Sequence, residues 1–269
     1  MKAFLHHLAY DFKSVLRERS KLLMYYLFPL AVFLLMAGLM TAVNPFFKET
    51  MVPGMILFAV MSATLLTLPG ALVGGRESGV LRSYRVNGVP AGSLLAIPSV
   101  GALVHMAVVS VIIAVVGVGV FGAAAPGRPA GFVAAWLLSY AAYAGLGALM
   151  GAAAPNQNAS TLLAQLVYLP SILLGGLMMP ASVLPEGMRR VALLTPASHA
   201  MNLFASWGGM AGAGGPWASA AVLAGSAALS FGLAGWIFQW DPRAQTPNRR
   251  SWAALLAVVP YAAAAVLGV

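Results

Sequence analysis

The chain has 269 residues, of which 61% are hydrophobic and 8% charged, against about 45–50% and about 25% in an average soluble domain. These values predict an all-α integral membrane protein, a polytopic bundle of transmembrane helices. The net charge of +9 does not indicate nucleic-acid binding, because the basic residues are spread over short loops. The absence of cysteine excludes disulfides, thiol nucleophiles and cysteine-ligated metals.

Residues 1–21 are predicted to form an amphipathic helix on the inner membrane surface. Apolar residues recur there at spacings of one, three and four, while the basic residues fall mostly elsewhere on the helical wheel. A cleaved signal peptide is the alternative interpretation. The apolar run that follows is about 22 residues, which is too long for a signal sequence, and no small-x-small cleavage site comes after it.

Six apolar runs are long enough to cross a membrane and predict a six-span core over residues 22–240. The predicted spans are residues 22–43, 51–74, 93–122, 132–153, 161–179 and 217–240. A last apolar run, residues 251–269, is just long enough to be a seventh span; the alternative is that it lies along the membrane, bent at Pro260. Most basic residues fall in the segments on the side of the N-terminus, which predicts a cytoplasmic N-terminus.

A charged segment, residues 76–90, separates the second and third predicted spans. It contains Arg76, Glu77, Arg82 and Arg85, whereas no Asp, Glu, Lys or Arg occurs in residues 50–75 or 86–127. Short loops rich in basic residues stay in the cytoplasm, so this segment is predicted to be available to a soluble partner. The alternative interpretation is an inner loop held only by lipid phosphates.

Residues 181–217 are predicted to form two short outer helices, Glu186–Leu194 and Ala197–Ser206, instead of a span. Three prolines interrupt this stretch, and each piece is too short to cross a membrane. A proline followed by an acidic residue suits the start of the first helix. The residues singled out in these helices are Pro185, Glu186, Arg189, Pro196 and His199.

Few ionisable groups are predicted at membrane depth. All six acidic residues fall in loops or in the N-terminal helix, which argues against an ion-driven carrier or a metalloenzyme, and no catalytic or metal-binding residue is predicted. The predicted substrate pathway consists of His105, Tyr140, Tyr143, Gln165 and Tyr168. The alternative interpretation is that these side chains form interhelical hydrogen bonds and interfacial anchors.

Three features in order give the chain a resemblance to a known family. The first is the basic N-terminal helix leading into a span. The second is Arg76-Glu77-Ser78-Gly79, followed by Leu81, Arg82 and Arg85 and closed by Val89-Pro90. The third is Gly175-Gly176-Leu177 through Pro180, Leu184-Pro185, Arg189, Leu193-Leu194, Pro196 and His199-Ala200. Together they resemble the permease of type-2 ATP-binding cassette (ABC-2 type) transporters, which include daunorubicin-resistance and polysaccharide exporters.

The resemblance implies a coupling role for the charged segment. In the family this segment forms a short helix that docks on a cytosolic ATPase subunit. The coupling residues implied here are Arg76, Glu77, Gly79, Arg82, Tyr84, Arg85 and Pro90, with Gly79 and Pro90 shaping the helix ends. No GxxxxGK[ST] loop occurs, so the chain is not expected to hydrolyse ATP or to bind a cofactor; ATP and Mg²⁺ would bind the partner subunit.

The expected function is export of a hydrophobic or lipid-like substrate or drug across a bacterial plasma membrane. The implied partners are the ATPase subunit, a second permease copy or a paralogue, and membrane lipids, with no nucleic acid. A seventh span would depart from the six-span core of the family. The alternative function, from another class, is a membrane anchor or sensor of a cytosolic complex without transport activity.

Overall fold

A computed structural model describes residues 12–44, 46–178, 184–210, 215–240 and 249–268 of the chain. Every regular element in these residues is helical, and six of the helices are long and apolar enough to cross a membrane. The prediction of an all-α polytopic bundle is therefore confirmed. Residues 1–11 of the predicted N-terminal helix lie outside the described residues.

The helices are numbered here in chain order. They are α1 (residues 12–17), α2 (Arg19–Val43), α3 (Phe47–Glu77), α4 (Val80–Val86), α5 (Ala91–Gly119), α6 (Pro129–Ala153), α7 (Gln157–Leu174), α8 (Glu186–Ala192), α9 (Pro196–Gly208), α10 (Pro216–Ile237) and α11 (residues 249–267). The six long apolar helices are α2, α3, α5, α6, α10 and α11. Helix α7, which overlaps the predicted fifth span, begins with a polar turn and is not one of them.

Three helices contain an irregular segment, and each such segment ends two residues before a proline. A π segment, Leu23–Leu27, precedes Pro29 in α2, and a second one, Ser62–Thr67, precedes Pro69 in α3. Helix α11 begins as a 3₁₀ helix, Arg249–Val258, and becomes α-helical before Pro260. Because proline has no N–H for the usual bond to residue i−4, a change of hydrogen-bond register just before it avoids a break in the helix.

The helices alternate in direction between two ends of the bundle. At the charged end, which holds residues 76–90, Arg76 contacts carbonyls at the C-terminal end of α6, and Trp240 after α10 lines the same pocket as Arg82. At the opposite end, which holds α8 and α9, the backbone N–H of Arg128 donates to the Gly208 carbonyl over 2.9 Å. Both predicted short outer helices are present there, as α8 and α9.

Helices α3 and α6 form the centre of the bundle, since both are buried along most of their length. They approach closely where Gly147 of α6 faces Thr64 of α3, because a Cβ at Gly147 would overlap the Thr64 carbonyl oxygen. Gly131, in the first turn of α6, faces the Trp207 carbonyl of α9 in the same way. Small residues therefore set the packing of α6 against its neighbours, as is common in membrane bundles.

Candidate functional site

The charged segment folds into the short helix α4 with a glycine at each end. Gly79 immediately precedes α4 and has a left-handed φ of 77°, which only glycine adopts without strain. After α4, the N–H of Val89 donates to the Tyr84 carbonyl and the N–H of Gly88 to the Arg85 carbonyl, both over 3.0 Å. This is a Schellman motif, with Gly88 at a φ of 73°. Pro90 is the N-cap residue directly before α5.

Arg76 lies at the end of α3, but its side chain is turned inward and is 6% exposed. Its guanidinium group donates to the carbonyls of Gly151 and Ala152, at 3.5 and 3.4 Å, and to that of Ala154. These are the last carbonyls of α6. Pro155 lies four residues after Gly151 and has no N–H, so the Gly151 carbonyl cannot make its normal helical bond. Arg76 therefore caps the C-terminus of α6.

Glu77, the next residue, binds the start of α7. Its carboxylate accepts the backbone N–H of Gln157 over 3.3 Å, and the Asn156 side chain accepts the N–H of Ala159 over 2.9 Å. The Gln157 side-chain amide donates to the Gly70 carbonyl of α3 over 2.8 Å. Two residues of α3, Gly70 and Glu77, thus hold the turn between α6 and α7 by hydrogen bonds to Gln157.

The two neighbouring charges match the dipoles of the two helix ends that they meet. The C-terminus of a helix carries a partial negative charge and its N-terminus a partial positive charge. Arg76 binds the C-terminus of α6 and Glu77 the N-terminus of α7. We call this arrangement of Arg76, Glu77 and residues 154–157 the Arg-Glu clamp.

Helix α4 is anchored through one apolar side chain and presents a basic face. Leu81 is buried and packs against Gly75. Arg82 and Arg85 are exposed and form no hydrogen bond or ion pair with another described residue. Together with Val86, which is 82% exposed, and Trp240, they line an open pocket of about 390 Å³. Two unpaired arginines beside exposed apolar surface are typical of a contact surface.

The predicted pathway residues make their hydrogen bonds with different partners. Four of them, all except Gln165, are buried and contact a neighbouring helix. His105 Nδ1 lies 2.6 Å from the Tyr26 hydroxyl, and the Tyr140 hydroxyl donates to the Ser99 carbonyl. The two remaining contacts are Tyr143 with Ser171 (3.5 Å) and Tyr168 with Ser62 (3.2 Å). Gln165 is half-buried. These contacts are those of the interhelical interpretation, and a pathway role stays a prediction.

The five outer residues differ in exposure. Pro185, Glu186 and Arg189 are exposed at the start of α8, where Glu186 makes only a 4.0 Å ion pair with Arg190. Pro196 and His199 are buried in the first turn of α9. The exposed residues are available for contacts, whereas the buried ones hold the structure of the two helices together.

His199 joins α8, α9 and α10. Its Nε2 lies 2.9 Å from the Leu193 carbonyl, which can only accept, so Nε2 carries the proton and Nδ1 accepts from the Ser219 hydroxyl at 3.2 Å. The amide of Asn202 donates to the same hydroxyl oxygen over 3.0 Å. Burial lowers the pKa of His199, and its hydrogen bond to Leu193 acts in the opposite direction. The ring is therefore fully bonded in its neutral form.

Several residues of these sites were not singled out in the sequence. Asn156 and Gln157 complete the Arg-Glu clamp, and their signal is a polar pair at the start of a helix, where a helix cap is expected. Trp240 lies beside α4 although about 150 residues separate them in sequence, and no local pattern indicates that contact.

Long apolar helices and short charged connections together define a multi-pass membrane protein. The model of the family described as ABC-2 type transporter matches residues 2–207. The chain therefore belongs to the ABC-2 type transporter family and is a membrane permease component of an ABC transporter, as its resemblance indicated. No curated protein and no solved structure matched the chain. Helices α10 and α11 lie beyond the matched residues.

Proposed function

We propose that the chain is the permease of an ATP-driven exporter in a bacterial plasma membrane, with its N-terminus and the charged end in the cytoplasm. It pairs with a second copy or a paralogue and exports a hydrophobic or lipid-like substrate. A separate ATPase subunit binds ATP and Mg²⁺ and contacts α4. Membership of the ABC-2 type transporter family supports this proposal, because such permeases typically work with an ATPase subunit.

The observation that carries the coupling proposal is the Arg-Glu clamp. Helix α4 is separated from α3 by two residues, and the last turn of α3 holds the end of α6 and the start of α7. A displacement of α4 would therefore act on α3, α6 and α7 together. Rigid elements joined by hydrogen bonds of this kind can carry a displacement from one site to another.

The basic face of α4 supplies the contact. Arg82 and Arg85 are one helical turn apart, are exposed and have no acidic partner among the described residues. An ATPase surface with carboxylates would pair with them, and Val80 and Val86 would add apolar contact area. Glu77 is already bound to α7, so its principal role is in the clamp.

The test is affinity purification of the tagged permease in detergent, followed by an ATPase assay of the soluble subunit that comes with it. The double variant Arg82→Glu/Arg85→Glu is expected to lose the ATPase. The matched control is Arg189→Glu/Arg190→Glu, the same charge change on the exposed turn of α8. Glu77→Lys is expected to keep the ATPase bound but to abolish transport.

Two outcomes would contradict the proposal. If no ATPase co-purifies with a well-folded permease, the anchor or sensor interpretation replaces the exporter. If the ATPase remains bound to the α4 double variant, the contact lies elsewhere on the chain. Neither outcome affects the assignment to the family, which rests on the sequence match.

A further inference from the structure

Helix α11 packs along α10 and runs in the opposite direction. Near the charged end, the guanidinium of Arg250 lies over the Trp236 ring, 5.3 Å from its centroid. Further along, the Tyr261 hydroxyl donates to Ser226 of α10 over 2.7 Å. The Tyr261 ring also lies 5.9 Å from that of His199, which belongs to α9 at the opposite end. These contacts occur in order along both helices, so α11 rises from the charged end toward α8 and α9.

The mixed geometry of α11 makes it long enough to cross. After the two arginines at its start, α11 has eight residues of 3₁₀ helix at about 2.0 Å each and nine of α-helix at about 1.5 Å each. They give about 30 Å, which matches a hydrocarbon core of about 30 Å. An entirely α-helical segment of the same residues would be about 26 Å. Pro260 lies at the start of the α-helical part, where its missing N–H is tolerated. No charged residue occurs in residues 251–268.

We propose that α11 crosses the membrane as a seventh span, in addition to the six spans predicted over residues 22–240, and ends on the side of α8 and α9. Tyr261 supports these two helices through His199. Tyr261 is 3% exposed and fixed by its bond to Ser226, so its ring forms a wall against the buried imidazole. His199 in turn holds the Leu193 carbonyl at the connection between α8 and α9. Losing the Tyr261 ring therefore loosens this pair of helices. This proposal does not rest on the coupling proposal.

The first test is cysteine labelling with a membrane-impermeant maleimide, which is added to intact cells and, separately, to inside-out membrane vesicles. The chain has no cysteine, so each single-cysteine variant reports one position. Leu267→Cys, at the exposed end of α11, is compared with Lys48→Cys at the opposite end and Asn87→Cys at the charged end. We expect Leu267→Cys and Lys48→Cys to react with the reagent on the same side of the membrane. Asn87→Cys should react only with reagent on the other side. Labelling of Leu267→Cys from the same side as Asn87→Cys overturns the seventh span.

The second test measures the support given by Tyr261. A reporter cysteine replaces Ala192, which is buried in α8, and its labelling rate is measured in purified protein. Tyr261→Leu keeps an apolar side chain but removes both the ring and its hydroxyl. It is expected to raise the labelling rate at least about fivefold, the effect of losing one buried hydrogen bond. Val266→Ala, on the 87% exposed face of α11, is the control and should not change it. Equal rates in the two variants overturn the supporting role and leave the span to the first test.

Discussion

Replacing Arg76 by methionine tests the Arg-Glu clamp most directly. Methionine keeps the length and apolar stem of arginine but has no donor, so the carbonyls of Gly151, Ala152 and Ala154 lose their partner. All three residues are largely buried. We expect Arg76→Met to destabilise the permease. Arg82→Met, which replaces an exposed arginine of α4, should not.

The magnitude follows from the geometry of the three bonds. A hydrogen bond from a charged donor contributes about 1.5–3 kcal/mol, and the bond to Ala154 is assigned a value in this range. The other two, at 3.4 and 3.5 Å, are long and add less than about 1 kcal/mol each. The gain from no longer burying a charge offsets part of the total. The expected loss is about 3 kcal/mol, which corresponds to a melting midpoint about 6–12 °C lower.

The assay is the apparent melting midpoint of detergent-solubilised protein, read from the amount that still elutes as a single species after heating. Since membrane proteins often unfold irreversibly, all variants must be heated at one rate. Arg76→Lys should fall between the parent and Arg76→Met, because one ammonium group cannot reach all three carbonyls in the geometry of a guanidinium. If Arg76→Met and Arg82→Met melt within about 2 °C of each other, the clamp does not stabilise the fold.

Three further predictions use the same melting assay. Gly147→Ala should destabilise the protein by about 1–3 kcal/mol or prevent folding, because the new Cβ would overlap the Thr64 carbonyl. Gly232→Ala, on the open face of α10, should be neutral or slightly stabilising. Equal effects of the two substitutions would refute the close contact at Gly147. Gly88→Ala should lower the free energy of unfolding by about 1 kcal/mol, because the backbone φ of 73° is strained for alanine although nothing obstructs the new methyl group. An unchanged melting midpoint would contradict this. Burial holds the pKa of His199 below its value of about 6.5 in the unfolded chain, so proton binding favours the unfolded chain as the pH falls. The contribution of neutral His199 to stability is therefore complete above about pH 6.5 and is lost below it. The midpoint of the parent should therefore drop more on acidification than that of His199→Gln, and parallel curves would exclude His199 as the cause.

Much of the bundle follows from the sequence because long runs without charge leave few alternatives. Each predicted span overlaps one described helix, and the short helices α8 and α9 follow from prolines that interrupt residues 181–217. Proline also explains where the π and 3₁₀ segments occur, although the sequence does not say which prolines will have this effect: Pro98 lies inside α5 without an irregular segment.

The candidate site could be predicted only in part. The glycines at the ends of α4 are local signals, and the spacing of Arg82 and Arg85 places both on one helical face. The inward turn of Arg76 was not predictable in this way, because its three acceptors lie 75 to 78 residues further along the chain. A charged residue in a loop is normally solvated, and only the position of the α6 terminus makes burial favourable here.

The order of the two charges gives a test that separates the clamp from an inner loop held by lipid phosphates. Exchanging them, as Arg76→Glu/Glu77→Arg, keeps the net charge and composition of the charged segment. A loop bound to lipid should tolerate the exchange, because phosphates respond to the number of basic residues nearby. In the structure, however, the exchange places a carboxylate against the carbonyls of α6 and a guanidinium at the N-terminus of α7, so both helix dipoles oppose the new charges. We therefore expect the exchanged variant to melt at least as low as Arg76→Met; a midpoint equal to that of the parent would favour the lipid-bound loop.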